Sequence, residues 1–133
     1  MSLKLVIFDV DGLLLDTERV WQDVWCDTAR DFGIDDWKRE DFLNVVGRSG
    51  QPVYDYMEEQ FRGRCSTEEF LEVARRNGME RLERELRVKP GAVELLNCIK
   101  KAGLPCAVAT ATGRPLTEER LTRLQLIQYF DYI

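Results

Sequence analysis

Leu5-Val6-Ile7-Phe8-Asp9-Val10-Asp11-Gly12-Leu13-Leu14-Leu15-Asp16-Thr17-Glu18 is the stretch whose reading decides the fold. Its first four residues are a continuous apolar run, β-branched and aromatic, which suits a buried strand of a parallel sheet. Asp9-Val10-Asp11-Gly12 ends that run. After Leu13-Leu14-Leu15, the triplet Asp16-Thr17-Glu18 has the form of a helix start, a capping side chain followed by an acid in the first turn. Val20, Trp21, Val24, Trp25, Ala29 and Phe32 then keep helical spacing, and Gly33 is the expected stop. Asp-Gly between apolar runs is also a β-hairpin signal, and on spacing alone a hairpin over residues 5–15 stands level with the strand-then-helix reading.

Working outward, residues 36–88 read as helical throughout. Val53, Tyr54, Met57 and Phe61 form one stripe. Ser66 and Glu69 form a capping box ahead of Phe70, Leu71 and Ala74, and Gly78 reads as a break or kink. Pro90-Gly91 marks a change of composition. Residues 92–102 read as a short helix stopped by Gly103, and Cys106-Ala107-Val108-Ala109 as a second strand ending at Thr110. Thr112-Gly113-Arg114-Pro115 reads as a loop, with Thr117 capping a helix through Leu124. Tyr129 to Ile133 reads as the approach to a third strand. Strands alternating with helices imply a parallel α/β sheet. The block between the first two strands is too long for a crossover and reads as an inserted helical subdomain. The expected division is residues 1–15 and 89–133 as an α/β core and 16–88 as a helical insertion.

Composition narrows the chemistry. The 133 residues include 24 acidic and 19 basic side chains, a net charge of −5 and no histidine. The absence of histidine excludes Ser–His–Asp and Cys–His sites and histidine-containing zinc sites. The acidic balance argues against a general nucleic-acid partner. No apolar run reaches the roughly 18–20 residues that span a bilayer, so no membrane partner is expected. Cys26, Cys65, Cys98 and Cys106 form no CxxC pair and are expected to be reduced in a cytoplasmic protein.

In an open parallel sheet, ligands sit beyond the carboxyl ends of the strands. Asp9 and Asp11 lie at the end of the first strand and Thr110 at the end of the second, so neighbouring strands would line one crevice. Two carboxylates one residue apart can bring a nucleophile and a proton donor to one loop, and they suit Mg²⁺. The Thr110 hydroxyl and nearby amides can hold the oxygens of a transferring phosphoryl group.

The opening stretch resembles the first motif of the haloacid dehalogenase-like hydrolases, in the branch with β-phosphoglucomutase and small sugar-phosphate phosphatases. The strand ending in Thr110 is similar to the second motif, and the helical block sits where that family carries its helical cap. The resemblance implies a Rossmann-like core with a helical cap and a Mg²⁺-dependent phosphatase acting on a small phosphorylated metabolite such as a sugar phosphate. It implies Asp9 as the nucleophile that becomes phosphorylated and Asp11 as general acid and base. The Asp9 carboxylate and the Asp11 backbone carbonyl would be Mg²⁺ ligands, and Thr110 with the Ala111 amide would hold a phosphoryl oxygen. Gly12, Glu18, Arg48 and Thr112 are the further substrate-binding candidates.

Two departures separate this chain from the sugar-phosphate mutases of that branch. Gly50 stands where they carry an arginine, and Trp21 where they carry a histidine. A mutase and a non-catalytic binding protein of the same family remain the alternative readings. A receiver domain is disfavoured because no mid-chain strand ends in aspartate. The family's later lysine and acidic motifs would fall beyond Ile133, so the 133 residues alone are expected to lack them and to be inactive. The first strand would then keep an open edge, which invites self-association through that edge.

Overall fold

A computed structural model describes residues 2–133. The chain divides into two compact units, one made of the N-terminal residues up to Glu18 together with Leu86–Ile133, the other of Arg19–Glu85.

The first unit holds the sheet. Strands β1 (Val6–Phe8) and β2 (Cys106–Val108) pair in parallel, with Val6 opposite Cys106, Ile7 opposite Ala107 and Phe8 opposite Val108. The Ala109 N–H donates to the Phe8 carbonyl at 2.9 Å, carrying the ladder to the strand ends. Beyond β2 the chain returns alongside it: Asp131 N–H donates to Cys106 O at 2.8 Å and Val108 N–H to Tyr132 O at 3.0 Å. The expected third strand is therefore a single parallel bridge between Ala107 and Tyr132.

Residues 5–15 do not form a hairpin. β1 takes β2 as its partner, and the amides of Leu13, Leu14 and Leu15 all turn back to the Val10 carbonyl at 3.0–3.2 Å. Leu15 pairs antiparallel with Val88, so the chain leaving the sheet and the chain returning to it run side by side. The buried-strand expectation for residues 5–8 holds on one face. Phe8 is buried, whereas Ile7 is 61% exposed and Leu5 42% exposed. Alternate residues of a strand face opposite sides, and the Leu5–Ile7 side has no covering layer among the described residues.

Helix α4 spans Ala92–Lys101, buries Ala92, Leu96 and Ile99, and ends with the Gly103 N–H on Lys100 O at 3.0 Å. Helix α5 (Arg114–Arg123) has Gly113 at its cap and starts four residues earlier than the reading that placed Thr117 there. Pro115 sits in its first turn, where a fixed φ suits helix entry and the missing N–H costs nothing. Thr117 lies inside the helix instead, buried, with its hydroxyl donating to the carbonyls of Thr112 and Gly113 at 3.3 and 3.2 Å.

Cys106 is buried on β2, and burial, followed by the nearby Asp131 charge, pushes its thiol up from the ordinary value. Cys98 on α4 is exposed. Because the thiolate is the reactive form, iodoacetamide at neutral pH is expected to label Cys98 in the native protein and Cys106 only after unfolding. Peptide mapping checks this, and equal labelling of the two in the folded chain would contradict it.

The second unit is helical. α1 (Thr17–Asp31) enters it and ends at Gly33, with the Ile34 N–H reaching back to Ala29 O at 2.8 Å. α2 spans Gln51–Phe61 and α3 spans Thr67–Glu85. Residues 36–88 are therefore not helical throughout: a 3₁₀ segment at Arg39–Asn44 and turns around residues 45–50 and 62–66 interrupt them. Gly63, at φ +73°, takes the chain out of α2, and the Ser66 hydroxyl accepts the Glu69 N–H at 3.3 Å at the start of α3.

Aromatic rings fill the centre of this unit. Phe61 and Phe70 meet edge to face at 4.8 Å between ring centroids, Trp25 packs on Phe42 at 5.3 Å, and Trp37 on Phe61 at 5.5 Å. Gly78 does not break α3, which continues through it. Its hydrogen side lies against the Trp21 ring, and a Cβ built there would fall 1.9 Å from Cζ3. The glycine is a point of close approach between α1 and α3.

Candidate active site

The site residues are set by where the strands stop. Asp9 follows β1 directly and is exposed, and its carboxylate accepts the Val10 N–H at 2.8 Å. Thr110 stands two residues past the end of β2, half-buried, and its hydroxyl accepts the Thr112 N–H at 3.2 Å. Parallel pairing puts both strand ends on the same edge of the sheet.

The two loops are joined by side chains. The Thr112 hydroxyl donates to Asp11 Oδ2 at 2.6 Å. Asp11 Oδ1 lies 3.7 Å from Arg120 Nη1 on α5. Both oxygens of one carboxylate are thus engaged, one by a neutral donor and one by a positive charge. Burial pushes the Arg120 guanidinium below its ordinary value, and the Asp11 charge acts against that shift.

Gly12 sits beside Glu18: a Cβ at Gly12 would lie 2.8 Å from Glu18 Oε1. The Gly12 carbonyl accepts a hydrogen bond from Lys89 Nζ at 3.2 Å. Ala111 is exposed at the turn between Thr110 and Thr112. Asp9, Asp11, Gly12, Glu18, Thr110, Ala111 and Thr112 all belong to the first unit, within the two strand-end loops and the start of α1. Arg48 does not join them there. It belongs to the helical unit, exposed in the turn that precedes α2.

Two contributors escaped the sequence reading. Lys89 sits beside Pro90 with no pattern that marks it. Arg120 did leave a signal, because Thr117, Arg120, Leu121 and Leu124 share one helical stripe and an arginine there stands out.

The donors at this edge suit Mg²⁺ in kind. They are hard oxygens, a carboxylate and a backbone carbonyl, and Mg²⁺ takes one or two carboxylates with the remainder from water and phosphate. No cluster of three or more acidic, cysteine or histidine side chains able to hold a metal occurs among the described residues. A cleft of about 350 Å³ between α1 and α3 lies elsewhere, in the helical unit, lined by Asp27, Thr28, Glu80, Arg81, Arg84 and Glu85. Its charges are largely spent on one another, Arg81 reaching Asp27 at 2.7 Å and Glu85 at 3.2 Å. Among the described residues no helix is long and apolar enough to cross a membrane.

Two carboxylates, two hydroxyls and a run of turn amides at the carboxyl edge of a parallel sheet are equipment for nucleophilic attack and proton transfer on an anionic group. The profile of the haloacid dehalogenase-like hydrolases matches residues 6–133, and the chain belongs to that family. It is 31% identical over 132 residues to the phosphorylated carbohydrates phosphatase of Thermotoga maritima, covering 97% of this chain and 59% of that protein. It is 29% identical over 132 residues to hexitol phosphatase B of Escherichia coli K12, covering 98% of this chain and 59% of that protein. A haloacid dehalogenase-family hydrolase from Deinococcus radiodurans, solved with bound phosphate and sodium, shares the fold. Its TM-score is 0.77 at 22% identity, over 95% of this chain and 54% of that one. The architecture is a Rossmann-like α/β core, incomplete in these residues, with a helical cap. The chain spans about 59% of the length of the phosphatases it matches.

Proposed function

We propose that the protein is a Mg²⁺-dependent phosphomonoesterase that acts on a small phosphorylated metabolite, a sugar or sugar-alcohol phosphate, through a phosphorylated Asp9. The observation that carries the proposal is the joining of the two strand-end loops through the Asp11–Thr112 hydrogen bond, with Asp9 exposed beside it. The similarity to the phosphorylated carbohydrates phosphatase of Thermotoga maritima and hexitol phosphatase B of Escherichia coli supports the substrate class.

In the first step an Asp9 carboxylate oxygen attacks phosphorus and the ester P–O bond breaks. The leaving alkoxide takes a proton from Asp11. In the second step water attacks the same phosphorus, Asp11 takes its proton, and the Asp9–phosphate bond breaks to release inorganic phosphate. This divides one difficult displacement into two easier ones. The Thr110 hydroxyl and the Ala111 amide donate to the phosphoryl oxygens, with Thr112 as the neighbouring hydroxyl. Gly12 leaves room at the turn, and Glu18 faces the substrate's hydroxyl groups. Mg²⁺, held by the Asp9 carboxylate and the Asp11 backbone carbonyl, would supply positive charge against the phosphate oxygens.

The test is phosphate release from a panel of hexose, pentose and hexitol phosphates, using protein expressed from the complete reading frame. Turnover on one or more of them, lost with EDTA and restored by Mg²⁺, is the expected result. No release from any member at millimolar substrate and Mg²⁺ would refute the proposal.

A further inference from the structure

We infer that Arg120 is a positioning residue for Asp11, holding the proton-transfer carboxylate in place from inside helix α5. The inference rests on the phosphomonoesterase reading above and extends it to a residue outside the strand-end motifs.

Arg120 is 6% exposed, between Thr117 at 1% and Leu121 at 0%. Arginine is almost never this deeply buried unless its charge is paired. Among the described residues its recorded ion-pair partner is Asp11, at 3.7 Å. Burying a guanidinium carries a desolvation penalty, and an apolar side chain would fill the same stripe without it. Stability alone gives no reason for a charge here, whereas control of the Asp11 carboxylate does.

The supporting contacts converge on the same group. Thr112 holds the other Asp11 oxygen at 2.6 Å. Thr112 is itself fixed at both ends: its N–H donates to the Thr110 hydroxyl, and its carbonyl accepts from the Thr117 hydroxyl at 3.3 Å. Thr117 and Arg120 lie on one helix, so α5 fixes Asp11 by two routes, directly through Arg120 and indirectly through Thr112. A carboxylate that must give a proton to one oxygen and take it from another needs a defined direction.

The test compares Arg120→Met, which keeps bulk and loses charge, with Arg120→Lys, which keeps charge, and with Thr112→Val, which leaves the buried charge in place. Two substrates are used, a sugar phosphate whose alkoxide must be protonated and p-nitrophenyl phosphate, whose leaving group departs without a proton. Arg120→Met and Thr112→Val are expected to lower kcat on the sugar phosphate roughly 10–100-fold, a part of the roughly 10²–10⁴-fold that general acid catalysis supplies. On p-nitrophenyl phosphate the loss should be several-fold smaller, KM should change little on either, and Arg120→Lys should restore most of the rate. A merely structural role would reduce both substrates alike, and that result overturns the inference.

A second readout does not need turnover. In the 133-residue chain with ¹³C-labelled aspartate, Arg120→Met is expected to shift the Asp11 carboxyl resonance and leave Asp9 in place. An unmoved Asp11 resonance in a folded variant overturns the inference. Should the wild-type protein hydrolyse neither ester, the phosphatase reading fails, and the Asp11 resonance still decides whether Arg120 holds that carboxylate.

Discussion

Gly78→Ala is expected to destabilise the chain, although alanine is the better helix former. In an exposed helix interior the exchange gains about 1 kcal/mol. Here the new methyl would lie 1.9 Å from Trp21 Cζ3 and 2.4 Å from Cη2, distances no side-chain carbon tolerates. Trp21 is a rigid ring on α1 and Gly78 is buried on α3, so relief requires the helices to part or the indole to leave its rotamer. Overpacking of this kind costs about 1–3 kcal/mol and more where neighbours cannot yield, and Gly78→Leu should lie at the upper end or fail to fold. Urea unfolding of the 133-residue chain measures it. Pairing Gly78→Ala with Trp21→Ala should recover much of the loss, since the two residues share one contact. A Gly78→Ala variant more stable than wild type would show that the close approach does not exist.

Asp9→Asn is expected to have the largest effect on activity. Loss of the attacking oxygen should lower kcat by at least about 10⁴-fold, the scale seen when a catalytic nucleophile is removed. Folding should be untouched, because Asp9 is exposed and its recorded hydrogen bond, to its neighbour's N–H at 2.8 Å, is one an asparagine oxygen can also accept. Asp11→Asn should lose roughly 10²–10⁴-fold on a sugar phosphate and less on p-nitrophenyl phosphate, because it removes a proton donor and not the nucleophile. Far-UV circular dichroism and phosphate release, measured on the same preparations, check both expectations. Equal kcat for Asp9→Asn and wild type would remove Asp9 from the chemistry.

What was legible in the sequence was local. Val6–Phe8 and Cys106–Val108 lie in short β-branched or apolar runs that stop at Asp9 and Thr110, and α1 and α4 end at glycines as their spacing implies. Asp9, Asp11 and Thr110 could be placed because a strand's end follows from the strand. Pro115 misled, since proline marks a loop and a helix's first turn equally well and only the backbone decides. Gly78 misled for a related reason: in sequence, a glycine that breaks a helix and one that admits a neighbouring ring look the same. The exposure of Ile7 depends on what covers the sheet, which no property of the strand itself reveals. The Thr112–Asp11 bond joins residues 101 positions apart, and Arg120 acquires its partner through the same closure of the fold. Contacts of that separation are properties of the assembled sheet and leave only indirect marks in the chain.

The central claim, phosphoryl transfer through Asp9, is tested most directly by trapping the intermediate. Protein from the complete reading frame, turning over its best phosphate ester with Mg²⁺, is quenched, reduced with borohydride and mapped by mass spectrometry. An aspartyl phosphate is reduced to homoserine, so the account predicts homoserine at position 9 that is absent without substrate and absent in Asp9→Asn. Continued turnover with position 9 recovered only as aspartate, or reduction mapped to another carboxylate, would contradict it.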